Sequence, residues 1–452
     1  MLAYYGNLNA LTAFTAFTAP PSPPLMSFSF FLARRFFGYR DDQRRRKAST
    51  PAIHIATLGV ALGLAVALIS YAVVRGFQHE IQSKLTGFAA HAEVMDLRSF
   101  ASPESYPLTV TDDVRQQIQK QSTALSAWRY AQKMGVLKTE ADFQAVALKG
   151  VAPEYDVGFI RSCIVSGQLP EGSSWGQKIV ISQQVANARG LHVDDKVFAY
   201  FFEQTVKMRR FEIAAIYQTR LKQFDSTFAL ADMKTVQQLN SWTENQCSGV
   251  ELRWKDMAAG DAAMPRARQA AMLASLPAPQ NDTAQVTFGP PQPTALSLRE
   301  NPRTAGTMNW LDLLDTNVWV ILVLVLLVAA FSMVSGLLIL ILERTQTIGV
   351  LKALGATDAA LRRTFLYYAA FIAVRGLAIG NGLALALIFA QQQWGFAKLD
   401  PETYYIDRVP TDLSWIAFAL INIAALVLVL LALLLPARAV GRVAPAKAIR
   451  FE

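Results

Sequence analysis

The sequence predicts a four-helix α-helical membrane domain with a large α/β domain inserted after its first helix. Three observations predict it. Residues 53–74, 318–342, 364–390 and 414–435 are apolar stretches, each near the roughly 20 residues that cross a hydrocarbon core of about 30 Å. The first stands alone and the other three are bunched towards the end, a 1+3 layout. Between the first two, residues 75–317 hold no comparable stretch, and that span is longer than a typical single domain needs.

Charge orients these elements. A net charge of +9 would suit nucleic acid if it formed one basic patch, but the cations sit beside the apolar stretches. Arg34, Arg35, Arg40, Arg44, Arg45, Arg46 and Lys47 precede the first. Arg344, Lys352, Arg362 and Arg363 lie between the second and third, and Arg438, Arg442, Lys447 and Arg450 follow the fourth. The 391–413 loop instead sets Lys398 and Arg408 against Asp400, Glu402, Asp407 and Asp412. The positive-inside rule then places both termini and the 343–363 segment in the cytoplasm, with 75–317 and 391–413 outside the inner membrane. No nucleic-acid partner is expected.

In chain order, residues 1–25 carry no charge, whereas a secretory signal needs a basic start. With the prolines at 20–24 and then Met26, they read as an extension or disordered tail, and Met26 as the native start. Within 26–52, residues 28–37 are aromatic, contain Arg34 and Arg35, and are too short to span. They predict an interfacial helix followed by a basic linker; a disordered basic arm is the alternative. Gly59 and Gly63 in the first span, Ser332 and Gly336 in the second, and Gly376 and Gly380 in the third are each four apart. Such small faces let helices approach closely, within the chain or at a dimer interface.

In the insert, strands are expected at 91–97, 145–149, 178–182, 196–202, 211–218, 227–231 and 249–254. Helices are expected at 111–121, 183–190, 232–240 and 258–276, a loop at 276–293, and a return to the membrane over 294–316. Strands concentrate at 145–231 between more helical flanks, which suggests two subdomains. Cys163 and Cys247 both fall in this insert. An oxidising compartment permits a disulfide between them; reduced, buried cysteines are the alternative. His54, His79, His91 and His192 lack metal-ligand spacing and no Ser-His-Asp grouping is visible, so neither a metal site nor a catalytic site is expected. Arg375 stands near the middle of the third span, where a charge costs about 2.5–3.5 kcal/mol on insertion scales, and no Asp or Glu lies within the four spans. Three readings stay open for it: snorkelling or hydrogen bonds to backbone carbonyls and Asn381, contact with lipid headgroups through a local defect, or contact with the polar part of a substrate.

The sharpest local signal follows the second span: Glu343-Arg344-Thr345-Gln346-Thr347-Ile348-Gly349-Val350-Leu351-Lys352-Ala353-Leu354-Gly355-Ala356-Thr357. It predicts a short amphipathic helix ended by glycine, then a new helix start at Thr357. Ile348, Val350, Leu351 and Leu354 are expected as apolar knobs for a groove in a partner.

This segment resembles the signature of the FtsX/LolC/MacB-like permeases of ATP-binding cassette transporters. Further stretches match: the aromatic basic run at 29–37, Val74-Arg75-Gly76-Phe77-Gln78, Leu148-Lys149-Gly150-Val151, Phe224-Asp225-Ser226-Thr227 leading into Asp232, and in the tail Pro436-Ala437-Arg438 with Pro445-Ala446-Lys447-Ala448-Ile449-Arg450-Phe451-Glu452. Leu399-Asp400-Pro401-Glu402-Thr403-Tyr404-Tyr405-Ile406-Asp407 looks most like the lipoprotein-releasing (LolC/LolE) branch. Thr347 departs from the pattern, where many relatives carry Glu.

The resemblance implies a permease subunit that extracts lipoproteins from the inner membrane by mechanotransmission. Residues 343–355 would be the coupling helix on a separate ATPase, which carries the ATP and Mg. A second permease, identical or related, would complete the dimer, and a periplasmic carrier would take the lipoprotein. The chain itself has no G-x-x-x-x-G-K-[ST] phosphate loop, so no cofactor is expected on it. The alternatives within the family are a MacB-like efflux permease and an FtsX-like regulator of cell-wall hydrolases.

Overall fold

The computed structural model describes Phe30 and residues 49–100, 105–138, 143–202, 206–275 and 291–437. The tail expected at 1–25, the interfacial helix apart from Phe30, the basic linker up to residue 48 and the basic tail after 437 lie outside the described residues, as does most of the 276–293 loop.

The elements run, in order, α1 (Ser49–Ala89), β1 (Ala92–Asp96), β2 (Leu108–Thr109), α2 (Asp112–Gln121), β3 (Ser126–Lys138), β4 (Phe143–Val151), α3 (Gly158–Ser162), β5 (Ile164–Gly167), β6 (Lys178–Ser182) and α4 (Gln183–Arg189). Then come β7 (Lys196–Phe202), β8 (Val206–Tyr217), α5 (Lys222–Asp225), β9 (Phe228–Asp232), α6 (Met233–Leu239), β10 (Gln246–Cys247), β11 (Gly249–Arg253), α7 (Met257–Ala271) and β12 (Pro293–Ser297). The chain closes with α8 (Ala305–Glu343), α9 (Thr345–Ala353), α10 (Asp358–Trp394), α11 (Pro401–Tyr404) and α12 (Trp415–Ala437). It divides into two compact units. A helical unit holds the chain up to Tyr71, Trp319–Phe389 and the part from Leu413 onward; a sheet unit holds Ala72–Val318 and Ala390–Asp412.

Among the described residues four helices, α1, α8, α10 and α12, are long and apolar enough to cross a membrane. Two of them outrun their apolar cores. α1 continues past residue 74 to Ala89 without a break, and α8 starts at Ala305, well before residue 318. Composition explains the difference: 75–89 and 305–317 are amphipathic rather than uniformly apolar, so a hydropathy reading stops where the helix does not.

In the helical unit, packing runs through missing side chains. A methyl on Gly59 would lie 2.7 Å from Ser332 Cβ, and one on Gly63 2.7 Å from Ala329 Cβ. On its other side α1 meets α10, where a methyl on Gly376 would fall 2.9 Å from Val60 Cβ and one on Gly380 2.6 Å from the Ala61 carbonyl oxygen. Carbon atoms rest about 3.5–4.0 Å apart, so only glycine permits these approaches. Gly336 is buried as well. The small faces of α1 are therefore taken up inside the chain by α8 and α10.

The sheet unit is built on ten strands in the order β12-β1-β11-β3-β4-β9-β6-β8-β5, with β7 paired to β3 and β8; β10 and β2 form a separate two-stranded pair. The pairs β4–β9 and β6–β8 are parallel and the remainder antiparallel. Alternation along each strand feeds two cores. Val146, Leu148, Ile179, Ile181, Ala229 and Ala231 face one side, towards α2, α4, α6 and α7. Ala147, Val151, Val180, Phe228 and Leu230 face the other, where Ile81, Leu85 and Phe88 of α1, Met308 and Leu311 of α8, and Ile406 cover them. β1, paired on both edges by β12 and β11, is buried at every position.

The helices in this unit start where the sequence marks them. Thr111, Ser182 and Asp256 cap α2, α4 and α7 by accepting from the backbone N–H three residues on. Gly190, at φ 60°, closes α4.

Two expectations are corrected here. The insert is not two subdomains, because β3 pairs with β11, β4 and β7 and so joins the 145–231 strands to the flanking ones in one sheet. Cys163 and Cys247 are free thiols. Cys247 is fully buried in the core beneath the helices, whereas Cys163 borders the core on the opposite face, so the sheet stands between them. Burial raises both thiol pKa values, that of Cys247 to about 12.

Candidate functional site

The first candidate region is the short foot after α8. Helix α8 ends at Glu343 and Arg344 leaves helical geometry (φ −97°, ψ 10°) before α9 begins. Thr345 Oγ1 donates back to the carbonyls of Ile341 and Leu342, at 3.1 and 2.7 Å, and so satisfies carbonyls that the helix end leaves open. Gly355 ends the foot at φ +96°, a conformation glycine adopts without steric cost. Thr357 then caps α10 by accepting from Ala360 N at 3.3 Å. Lys352 Nζ reaches Asp358 Oδ1 at 3.0 Å and pins the foot to the start of α10.

Burial corrects the expected knobs. Ile348, 1% exposed, and Gly349 turn inward, and Leu351 is half-buried. Val350 and Leu354, 46% and 79% exposed, point outward with Ala353 and Gly355. The reason is helical spacing: positions 350 and 354 share one face, and positions 348 and 351 share another.

The second region is the joint where α1 enters the sheet. An α-helix ends with unpaired carbonyls and a partial negative charge, and two cations meet them here. Arg253 Nη2 donates to the Thr86 carbonyl at 3.1 Å, and Lys149 Nζ donates to the Phe88 carbonyl at 2.9 Å. Ala90, at φ 53°, turns the chain, and β1 starts two residues later. Lys149 stands on β4 and is held by Glu251 of β11 at 2.7 Å and by Tyr155 OH at 2.9 Å. Tyr155 OH also donates to Glu251 Oε2 at 2.6 Å. The rings of Phe88, Tyr155 and Tyr130 lie 5.1, 5.1 and 5.6 Å from the ammonium, within cation–π range. Lys149 and Glu251 are each 4% exposed.

Directly across from Glu251 on β1 sits Glu93. Burial is the main cause that lifts its carboxyl to about 7; Glu251 adds to the rise, while Arg303, Lys149 and the Asn301 amide oppose it. Tyr155 is raised well above its ordinary value, first by burial and then by Glu251.

A strap from the 390–412 segment runs beside the same helix. Lys84 Nζ donates to the Tyr405 carbonyl at 2.8 Å, Asp412 N donates to the Ala72 carbonyl at 2.9 Å, and Arg220 pairs with Asp407. Pro410 packs so close to Gly76 that a methyl there would lie 2.6 Å from its carbonyl oxygen. Gln78 Nε2 donates to the Leu311 carbonyl at 2.9 Å, and Phe77 meets Trp310 edge to face at 5.5 Å. Asp225 folds the neighbouring turn by accepting from Thr219 N, Thr219 Oγ1 and Arg220 N. Phe224 stacks on Phe88 with centroids 4.4 Å apart.

The structure thus brings together the stretches around Gln78, Lys149, Phe224 and Tyr405, which are scattered in sequence. The pairing of Lys149 with Glu251 and the role of Arg253 were not legible beforehand. The available signal was a lone lysine inside the apolar run of β4. Arg375 is exposed on α10. Asn381 does not serve it, because Asn381 and Asn422 of α12 exchange hydrogen bonds at 2.8 and 3.1 Å. Phe30 packs on Tyr367 and Phe371, at 5.8 Å in each case. No cluster of three potential metal ligands occurs among the described residues.

Comparison with known proteins agrees with this architecture. The FtsX-like permease C-terminal family matches residues 319–445, and the MacB-like periplasmic core domain family matches residues 54–270. The two matches lie on separate stretches and together define the class that the chain resembles: permeases with an FtsX-like C-terminal part and a MacB-like periplasmic core domain. It is similar over nearly all of its length to proteins named as lipoprotein-releasing system transmembrane proteins. LolC of Xylella fastidiosa (strain 9a5c) is 25% identical over 427 residues, covering 90% of this chain and 96% of the relative. LolC of Neisseria meningitidis serogroup B is 22% identical, covering 88% and 94%, and LolE of Haemophilus influenzae is 23% identical, covering 94% and 99%. Among solved structures, the periplasmic region of MacB from Actinobacillus actinomycetemcomitans aligns with a TM-score of 0.30 at 11% identity, over 47% of this chain and 91% of that one.

Proposed function

We propose that this chain is the permease subunit of a transporter that lifts lipoproteins out of the inner membrane for transfer to a periplasmic carrier. The observation that carries the reading is the path of α1: one unbroken helix from Ser49 to Ala89, packed by glycine in the helical unit and capped by Lys149 and Arg253 in the sheet unit. Such a helix is suited to carry movement from a membrane domain to a domain beyond it. The similarity to LolC and LolE supports lipoproteins as the cargo.

On this reading Val350 and Leu354 dock in a separate ATPase that binds ATP and Mg. A second permease, identical or related, completes the assembly, and both termini lie in the cytoplasm. Burying an acyl chain is worth about 0.8 kcal/mol per CH₂, so a protein anchored by several long chains does not leave spontaneously, and nucleotide hydrolysis supplies the work. Depletion of the protein tests the reading. Lipoproteins stranded at the inner membrane are expected. Drug sensitivity or chained cells with normal lipoprotein sorting would replace the reading with efflux or with control of cell-wall hydrolases.

A further inference from the structure

The buried cluster at the end of α1 is costly to build. Two opposite charges, each 4% exposed, are taken out of water for an attraction that a pair of well-packed apolar side chains often matches or exceeds. Stability alone does not account for it. What the cluster does provide is geometry. Lys149 spends its donors on Glu251 Oε1, Tyr155 OH and the Phe88 carbonyl, all within 2.7–2.9 Å. Glu251 and Lys149 sit on β11 and β4, with Tyr130 of the intervening β3 between them. One ammonium therefore ties three strands to the last turn of a 41-residue helix. The covalent link at that point is only Ala90 and His91, and Ala90 is in a left-handed turn conformation. Beside the apolar packing of Ile81, Leu85 and Phe88, the ties across that joint are Arg253 on the Thr86 carbonyl and Lys149 on the Phe88 carbonyl, and Lys149 is the one nearest the turn.

We propose that Lys149, oriented by Glu251 and Tyr155, is a positioning residue that locks the end of the first membrane-crossing helix to the sheet, so that a movement of the helix turns the sheet unit instead of bending at Ala90. The inference rests on the proposed transport function, because it assigns the lock a part in transmitting work. The lock has three anchors on the sheet side (Glu251, Tyr155 and the Tyr130 ring) and two on the helix side, the Phe88 carbonyl and the Phe88 ring. A backbone acceptor cannot be removed by mutation, which makes the lysine the informative position.

The test uses the full chain, assembled with its ATPase in proteoliposomes. Removing one partner strands a buried charge and is expected to destabilise the protein, so the decisive variant changes both: Lys149→Met with Glu251→Met. It is expected to reach the membrane at wild-type abundance and to hydrolyse ATP within twofold of wild type, while lipoprotein released per ATP falls at least tenfold. A second readout places spin labels at Ser83 on α1 and Val165 on β5. In the wild type their separation stays fixed on addition of a non-hydrolysable ATP analogue; in the double variant it broadens or shifts. Unchanged release per ATP in a stably folded double variant, or an unchanged label separation, overturns the lock. If wild-type proteoliposomes hydrolyse ATP but release no lipoprotein, the transport reading fails, and the label separation alone still decides whether Lys149 holds the joint.

Discussion

Replacing Glu93 by Gln should change how the stability of the sheet unit depends on pH. Glu93 is buried on β1, opposite Glu251, with the Asn301 amide on Oε2 at 2.9 Å and Arg303 and Lys149 as the nearby cations. Burial lifts its carboxyl from an ordinary 4.5 to about 7. The folded protein therefore holds a proton that the unfolded chain has released. Stability from this group is fully present below about pH 4.5 and is lost as the pH rises through 7. A displacement of about 2.5 pH units corresponds to about 3 kcal/mol in full, of which about 2–3 kcal/mol falls between pH 5 and pH 8. For a unit of this size that is a difference of roughly 5–10 °C in Tm. The assay is thermal unfolding of the detergent-solubilised protein at pH 5, 6, 7 and 8, followed by tryptophan fluorescence. Wild type should lose stability steadily across the series, and Glu93→Gln should remove most of that slope and be the more stable at pH 8. Parallel slopes for the two proteins would refute the reasoning, because they would mean that Glu93 is already ionised in the folded state.

Three further outcomes follow from the packing. Gly63→Val should separate α1 from α8, since even a methyl would sit 2.7 Å from Ala329 Cβ; overpacking of this kind costs about 1–3 kcal/mol, and membrane abundance or Tm should fall, whereas Gly382→Ala, with open space around it, should be silent. In unfolding titrations with a maleimide, half-buried Cys163 should react before fully buried Cys247, and omission of reductant should leave both reactive; a disulfide by mass spectrometry would contradict the structure. Leu354→Asp, on a side chain 79% exposed, should reduce capture of the ATPase at least tenfold without lowering Tm, whereas Ile348→Asp, 1% exposed, should lower Tm; equal Tm losses would deny the foot its outward face.

The helices were the most legible part of the sequence, for a plain reason. Long apolar runs have one physical meaning, and the positions of Gly59, Gly63, Gly376 and Gly380 carry their packing faces with them. Strands β6 and β7 were also legible, because Lys178–Ser182 and Lys196–Phe202 alternate or run apolar. The longest strand, β3, was not. Ser126–Lys138 carries Arg129, Gln132, Lys133 and Gly135, a pattern that resembles a loop until its partners are known. Arg129 is satisfied by Glu154 and Asp112, and Gln132 by Ser248 and Arg303, all remote in sequence. Missing β3 is what made one sheet look like two subdomains. Strand β12 was hidden similarly: Pro293 and Thr294 follow a proline-rich stretch, and only pairing with β1 makes 293–297 a strand. The foot was found from its motif, but its buried and exposed faces were not, since Ile348 and Leu354 are equally apolar and only the surrounding helices separate them. The joint was least legible of all. Its charges, Lys149, Glu251 and Arg253, come from two strands that are not adjacent in the sheet, and nothing local marks them as partners of a helix end.

The proposed transport function requires residues 345–353 and the sheet unit to face opposite sides of one membrane. Sidedness of labelling tests it most directly. In a cysteine-free background, Leu354→Cys and Leu125→Cys, at positions 79% and 65% exposed, are treated with a membrane-impermeant maleimide in intact spheroplasts and in inverted vesicles. The account predicts that position 125 is labelled only in spheroplasts and position 354 only in inverted vesicles. Labelling of both positions from the same side would contradict it.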